Sequence, residues 1–211
     1  MADQFDLFEA IYSQRQITRY KPDPVPQSEI QKLIDAAVRA PNGGNTQPWE
    51  FVVVNDPDTV KALGDLYKNT WLDAMGWEPS PTESRVYRHA RYLAHHMPEV
   101  PAMIVVCADH SRGGGFQPDQ PIERGRHAAS VWPAIQNLFL AGRALGIGTR
   151  ITTVLNRKED EVRELLGLPE YAEMICLTPV GYPRGSFGPT TRRPPSEVTS
   201  FNRWGFRDWT D

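Results

Sequence analysis

Apolar positions recur at two different periods along this chain. Phe5, Phe8, Ile11 and Tyr12 fall on one face of a helix over residues 4–14. After a proline-rich turn over 21–26, Ile30, Leu33, Ile34 and Ala37 form a second helical stripe. Ser28 stands where it can cap that helix, with Gln31 three residues on to complete a capping box. Pro41, Asn42, Gly43 and Gly44 end it. Trp49 to Val54 reads as a strand, and Asp56 then caps a third helix carrying Val60, Leu63, Leu66 and Tyr67.

Over 70–100 the helical pattern weakens, and Trp71, Trp77, Tyr87 and Tyr92 mix with prolines, histidines and arginines. Residues 100–108 are a strand, and the glycine-rich stretch 111–119 is a flexible loop. Residues 128–145 form a long helix that is apolar on almost every face, which predicts burial from more than one side. Gly146 and Gly148 end it, 149–155 reads as a strand, 159–166 as a short charged helix and 173–181 as a strand. The tail from Pro183 has no period but carries Phe201, Trp204, Phe206 and Trp209. Strands that alternate with helices predict an α/β or α+β domain, with one domain over 1–211. The oversized apolar helix and the aromatic tail predict a large association surface.

Composition narrows the function. The 211 residues carry a formal net charge of −3, which argues against the basic excess that phosphate-backbone binding needs. Cys107 and Cys176 each sit in an apolar run and read as buried free thiols rather than a disulfide. The first residues have no basic segment followed by an apolar core, and no run approaches the length of a membrane span, so the expected location is the cytoplasm. The glycines of 142–148 end a helix and enter a strand, the reverse of a dinucleotide fingerprint. His95-His96 is not a zinc-ligand spacing, so no metal is expected.

Three polar segments remain: Arg15-Gln16-Ile17-Thr18-Arg19, the stretch from Ala40 to Trp49, and Arg192-Arg193-Pro194. Each alone is compatible with a solvated helix end, a connecting loop or surface charge. Together they suit a flavin mononucleotide. Guanidinium forks match its phosphate, and Asn and Gln amides match the donor and acceptor edge of its ring.

These residues resemble the flavin-dependent nitroreductase family. The likeness runs through Arg15-x-x-x-Arg19-Tyr20, Pro24-Val25-Pro26, Asn42-Gly43-Gly44-Asn45-Thr46-Gln47-Pro48-Trp49-x-Phe51 and Gln136-Asn137-Leu138. It continues in Ala144-Leu145-Gly146-Ile147-Gly148, Thr152-Thr153-x-Leu155-Asn156, Leu165-Leu166-Gly167, Pro179-Val180-Gly181-Tyr182-Pro183 and Arg192-Arg193-Pro194. The Thr152-Thr153 stretch and the aromatic segment are most similar to the branch with iodotyrosine deiodinase and the flavin-destroying lower-ligand synthase. The resemblance implies an α+β three-layer sandwich, a central mixed sheet flanked by helices, in an intertwined homodimer whose chains exchange their ends. It implies FMN as cofactor, held by Arg15, Gln16, Arg19, Asn42, Asn45, Gln47, Ile151, Thr152, Thr153 and Arg192, with some groups from the partner chain. Thr153 would lie near flavin N5 as the catalytic residue. Residues 70–100 would be a substrate lid with Trp71, Trp77, Tyr87 and Tyr92 as stacking residues, and 183–211 a tail embracing the partner. Gln16 and Thr18 depart from the resemblance, since many members of the family carry Ser and a basic residue at the matching positions.

The expected reaction is ping-pong: NADPH or NADH gives a hydride to FMN and leaves, and an electron-poor nitroaromatic or quinone is then reduced on the same face. Rival readings are a flavin-dependent dehalogenase, dehydrogenase or flavin-cleaving enzyme on the same fold, an FMN-sequestering protein, and a flavin-free interaction module. For a charged amino-acid substrate, Arg85, Arg88 and Arg91 are the residues to inspect.

Overall fold

In the computed structural model, which describes residues 5–113 and 116–207, β1 (Trp49–Val54), β2 (Ala102–Asp109), β3 (Gly148–Thr149) and β4 (Ala172–Gly181) form one sheet in the order β1-β2-β4-β3. All eight residues of β2 and all ten of β4 are buried, so both faces of the sheet are covered. On one face Ala102, Ile104, Val106 and Ala108 pack against α2 (Gln27–Ala37) and α5 (Ala128–Ala144). On the other, Met103, Val105 and Cys107 pack against α3 (Pro57–Met75) and α4 (Arg85–His96). Alternation of side chains along a strand produces this division, and the outcome is the expected α+β three-layer sandwich. The mixed character of the sheet is narrower than expected. All named strand pairs are antiparallel, and the parallel pairing among the described residues is the isolated Gln16–Thr149 bridge.

Three element readings are corrected. The second helix starts at Gln27, with Pro26 at its cap and no side-chain capping bond. Pro26 sets the extended entry angle and its carbonyl already accepts from Glu29 and Ile30, which leaves Ser28 inside the first turn. The segment 70–100 is mostly helical: α3 runs on to Met75 and α4 covers Arg85–His96, joined by a loop over 76–84. In α4 the small set Ala90, Leu93 and Ala94 buries the inner face while arginines and histidines fill the rest, which masks its periodicity. The expected strand over 149–155 shrinks to Gly148–Thr149, a bridge from Thr152 to Leu177 and a 3-10 turn over Val154–Lys158.

Close packing fixes α3. A Cβ on Gly64 would lie 2.5 Å from the Pro98 backbone, so only glycine lets the helix approach the turn at Met97–Glu99. Asp56 caps α3 as expected, accepting from the Thr59 N–H at 2.9 Å and the Thr59 hydroxyl at 2.7 Å. Those bonds hold its carboxyl below the usual range. A depressed carboxylate contributes stability above its unfolded pKa that is lost as pH falls through its folded pKa. Asp56→Ala is therefore expected to lower the melting temperature at neutral pH, with the gap to the wild type closing in acid. A gap that does not narrow on acidification in a thermal melt series would contradict this role of the cap.

Cys107 and Cys176 are buried and unpaired as expected. Burial pushes both thiols up to about 12, which keeps them protonated and unreactive at neutral pH. No helix among the described residues is long and apolar enough to cross a membrane.

Candidate functional site

The chain leaves α1 (Leu7–Ser13) through Gln14 and runs beside the β3 edge. The Ile17 N–H donates to the Thr149 carbonyl at 3.0 Å. The Ile151 N–H donates to Gln16 Oε1 at 2.7 Å. Gln16 thus clips the arginine segment to the segment that carries Ile151, Thr152 and Thr153. The length of the Gln16 side chain lets its amide oxygen make this reach.

The second segment is held from below. Its Thr152 N–H and carbonyl both pair with Leu177, at 2.9 Å each. A bulge in the β2–β4 register, between Val106 and Cys107, leaves Ile175 without a partner on β2. Asn156 Nδ2 donates to the Met174 and Ile175 carbonyls at 3.1 Å each, so this bulge anchors the turn that follows Thr153. Thr152 is buried, and its hydroxyl lies against the Tyr67 phenol, whose pKa burial raises. Thr153 is exposed, and neither its hydroxyl nor its N–H has a partner among the described residues.

The cations here are unusually free. Arg15 is exposed and forms no ion pair among the described residues. Arg19 stacks its guanidinium 3.7 Å from the centroid of the Tyr92 ring, and Tyr92 stacks on His96 at 4.2 Å. Arg150 is half-buried near Tyr20 and Tyr67, with a buried Nε that has no hydrogen-bond partner. Sequence reasoning missed Arg150. Its signal was position alone, one residue ahead of the Ile151 segment. Arg192 is exposed and donates to the carbonyl of Thr191. The tail leading to it passes the same region, since the Arg184 N–H donates to the Arg19 carbonyl and the Thr190 N–H to the Tyr12 carbonyl.

The loop with Asn42, Asn45 and Gln47 lies elsewhere. It enters β1 at Trp49, which pairs with Ala108, next along β2 from the Cys107–Met174 pair. Thr149, beside Gln16, pairs with Val180. β1 and β3 are opposite edges of the sheet. Strand rise and strand spacing put the two segments at diagonal corners, roughly 25 Å apart. The loop is tightly built. Asn42 Oδ1 accepts from the Gln47 N–H at 2.9 Å, the Gly43 N–H donates to Ser130 Oγ at 3.2 Å, and Asn45 and Gln47 both hold positive φ, 52° and 49°. Asn42 therefore shapes the loop, while the Asn45 and Gln47 side chains stay exposed.

The lid residues divide. Trp71 is a correction: it is buried in the core at 7% exposure, beneath the Arg91 guanidinium, because α3 continues through it. Trp77 and Tyr87 are exposed, at 50% and 49%. Arg91 is also structural, paired with Glu83 at 2.6 Å and donating to the Gly76 and Trp77 carbonyls. Arg85 and Arg88 stay exposed.

The nitroreductase family model matches residues 11–182, a span that holds the arginine segment, the Asn42–Gln47 loop and the Thr152–Thr153 segment. The chain belongs to the nitroreductase family. Among its relatives, an NADH dehydrogenase of Thermus thermophilus is 30% identical over 92% of this chain and 94% of its own length. The rat iodotyrosine deiodinase 1 is 29% identical over 89% of this chain and 66% of its own, in line with the branch likeness. A nitroreductase of Bacteroides fragilis crystallised with bound FMN shares the fold, with a TM-score of 0.65, 20% identity, and cover of 93% of this chain and 98% of that one. The family match spans the first two polar segments, and Arg192-Arg193-Pro194 lies beyond it.

Proposed function

We propose that two copies of this chain bind FMN between them and reduce electron-poor nitroaromatic or quinone substrates with NADH or NADPH in a ping-pong cycle. The observation that carries the reading is the Gln16–Ile151 hydrogen bond. It sets the unpaired Arg15 and the orphaned Nε of Arg150 beside the free donors of Thr153. Cationic forks at one end and a neutral donor at the other suit a phosphate-bearing redox ring. FMN, when bound, supplies the site with an acceptor and donor of hydride. The protein's own work is to hold the phosphate through Arg15, Arg19 and Arg192, and to keep Gln16, Ile151 and Thr152 along the ring. Thr153 places a donor at the reacting edge.

The separation of the Asn42–Gln47 loop supports a site shared between copies, with Asn45 and Gln47 reaching the ring from the partner chain. Exposed apolar surface supports the same assembly. α1 turns Leu7, Phe8, Ile11 and Tyr12 to solvent, α5 exposes Trp132, and the tail exposes Phe201, Trp204 and Phe206. A groove of about 850 Å3 between α2 and the unpaired edge of β1, lined by Ile30, Ile34, Phe51 and Val53, is the place we assign to the partner's tail. Trp209 of that tail lies outside the described residues. The single domain over 1–211, with a lid near 70–100 and an embracing tail over 183–211, belongs to the same reading, and its two unpaired thiols suit the cytoplasm. Reductive dehalogenation is the second reading, on the likeness to the deiodinase.

Titrating the purified dimer with FMN tests the proposal. We expect binding that quenches flavin fluorescence, bleaching by NADH or NADPH without oxygen, and at least about tenfold weaker binding in Arg15→Ala, the loss of one charged hydrogen-bonding group. A dimer that takes up no FMN would overturn the reading.

A further inference from the structure

The Asn42–Gln47 loop keeps a strained backbone, and part of its restraint comes from a distant stretch of the chain. Gln47 holds a φ of 49°, a left-handed conformation that residues other than glycine adopt at a cost. Both of its main-chain groups are pinned. The N–H donates to Asn42 Oδ1 at 2.9 Å, and the carbonyl accepts from Arg112 Nη1 at 3.0 Å. The strained torsion lies between those two bonds.

Arg112 commits all three of its guanidinium nitrogens to this corner. Nη1 also donates to the Trp49 carbonyl at 3.3 Å, Nη2 to Glu50 Oε2 at 2.9 Å, and Nε meets Asp109 Oδ2 at 2.9 Å. Asp109 is itself buried at the end of β2. Its Oδ1 accepts from the Ser111 N–H at 2.9 Å, and its own N–H donates to the Pro48 carbonyl at 2.7 Å. The turn after β2 is also packed hard on the loop: a Cβ on Gly113 would stand 2.8 Å from Thr46 Cγ2. A guanidinium oriented by a rigid strand end thus grips the loop at its exit.

None of this restraint engages the Gln47 amide. That side chain is exposed and forms no hydrogen bond among the described residues. Strained residues persist where the surroundings over-determine them, and they cluster at sites of function. We infer that Arg112 is a positioning residue for the cofactor: it fixes the direction in which Gln47 presents its amide to the flavin in the partner's half of the dimer, without touching the flavin. The inference rests on the FMN reading above and adds to it the residue that gives the shared loop its shape. A planar fork on two carbonyls and two carboxylates suits this task, whereas the single point charge of a lysine holds only part of it.

A double-mutant cycle on the FMN-loaded dimer tests the inference. Its readouts are the dissociation constant of FMN, from quenching of flavin fluorescence, and the midpoint potential of the bound flavin. The potential separates positioning from mere support, because a change in stability alone leaves the flavin's neighbours in place. Arg112→Ala and Gln47→Ala should each weaken FMN by about tenfold, the loss of one hydrogen-bonding group, and shift the potential in the same direction. In the Gln47→Ala background, Arg112→Ala should weaken FMN by less than about twofold more and leave the potential where it is, since residues that act through one contact are not additive. Arg112→Lys should fall between the wild type and alanine in both readouts. Losses that multiply in the double variant overturn the inference, by giving Arg112 a role apart from Gln47. Wild-type affinity and potential in either single variant overturn it, as does a potential that stays put while only the affinity falls. If Arg112→Ala does not fold, Arg112→Lys runs the same cycle, and a lysine variant that matches the wild type in both readouts overturns the inference. A wild-type dimer that binds FMN and fails these comparisons loses only the role of Arg112, whereas one that binds no FMN loses both readings.

Discussion

Arg91→Ala is expected to destabilise the protein by about 3–5 kcal/mol, the usual cost of stranding one member of a buried ion pair. The Arg91 and Glu83 side chains are 9% and 7% exposed and meet at 2.6 Å. Without the guanidinium, a desolvated carboxylate remains whose Oε2 has no partner even in the intact protein. The Gly76 and Trp77 carbonyls lose their donor, and Trp71 loses the cation 5.1 Å from its ring centroid. Urea unfolding of the variant measures the loss. A change under about 1 kcal/mol would mean that the pair does not hold the 76–84 loop. Removing both charges together, as Arg91→Met with Glu83→Gln, should recover much of the stability, because an absent buried pair costs far less than a broken one. The consequence for function runs through α4. The same pair fixes the start of the helix that holds Tyr92 against Arg19, so the single variant should also bind FMN more weakly.

Glu159→Ala is expected to cost about 3 kcal/mol, from one buried charge partner and one stranded amide. Glu159 opens α6 (Glu159–Leu166) and is 5% exposed. Its Oε2 accepts from Arg124 at 2.6 Å. Its Oε1 accepts from Arg163 at 3.0 Å and from the buried Met174 N–H at 3.1 Å. Arg124 is 58% exposed and can turn to water. Arg163 keeps the Leu168 and Ala172 carbonyls. The main loss is therefore at the Met174 amide and in the junction between α6 and the turn over Val154–Lys158. That turn follows Thr153 directly, so FMN affinity should fall along with stability. Glu159→Gln retains an acceptor for Met174 and should recover more than half of the loss in thermal unfolding. An alanine variant as stable as the wild type would show that Met174 is satisfied in another way.

Alternating and helical apolar periods sufficed for most of the framework. Trp49–Val54 and the helices at 128–144 and 159–166 have the boundaries their periods predict to within a residue, because each buries a full face or stripe in a core that rewards that period. The Asp56 cap was legible because capping is a local bond. The α4 helix was not. Its burial rests on three small or apolar residues and on the Arg91–Glu83 pair, which joins positions eight residues apart through a loop that no periodicity describes. The 149–155 segment reads as a strand by composition, but the β4 bulge at Ile175 and the amide of Asn156 turn it into a bridge and a 3-10 turn.

The residues of the candidate site were all present in the sequence, and their types were enough to suggest a phosphate-bearing ring. What sequence alone determined was chemistry: which guanidiniums, amides and hydroxyls are available. The tertiary structure decided their grouping. Gln16 reaches Ile151 across 135 residues, which makes one site of two segments. Trp71 is taken into the core by the continuation of α3. Asn45 and Gln47 are carried to the opposite edge of the sheet, beyond the reach of Arg15 in the same chain. Strand order and register are set by non-local hydrogen bonds and by which faces must be buried, and neither leaves a mark on the local pattern of residues.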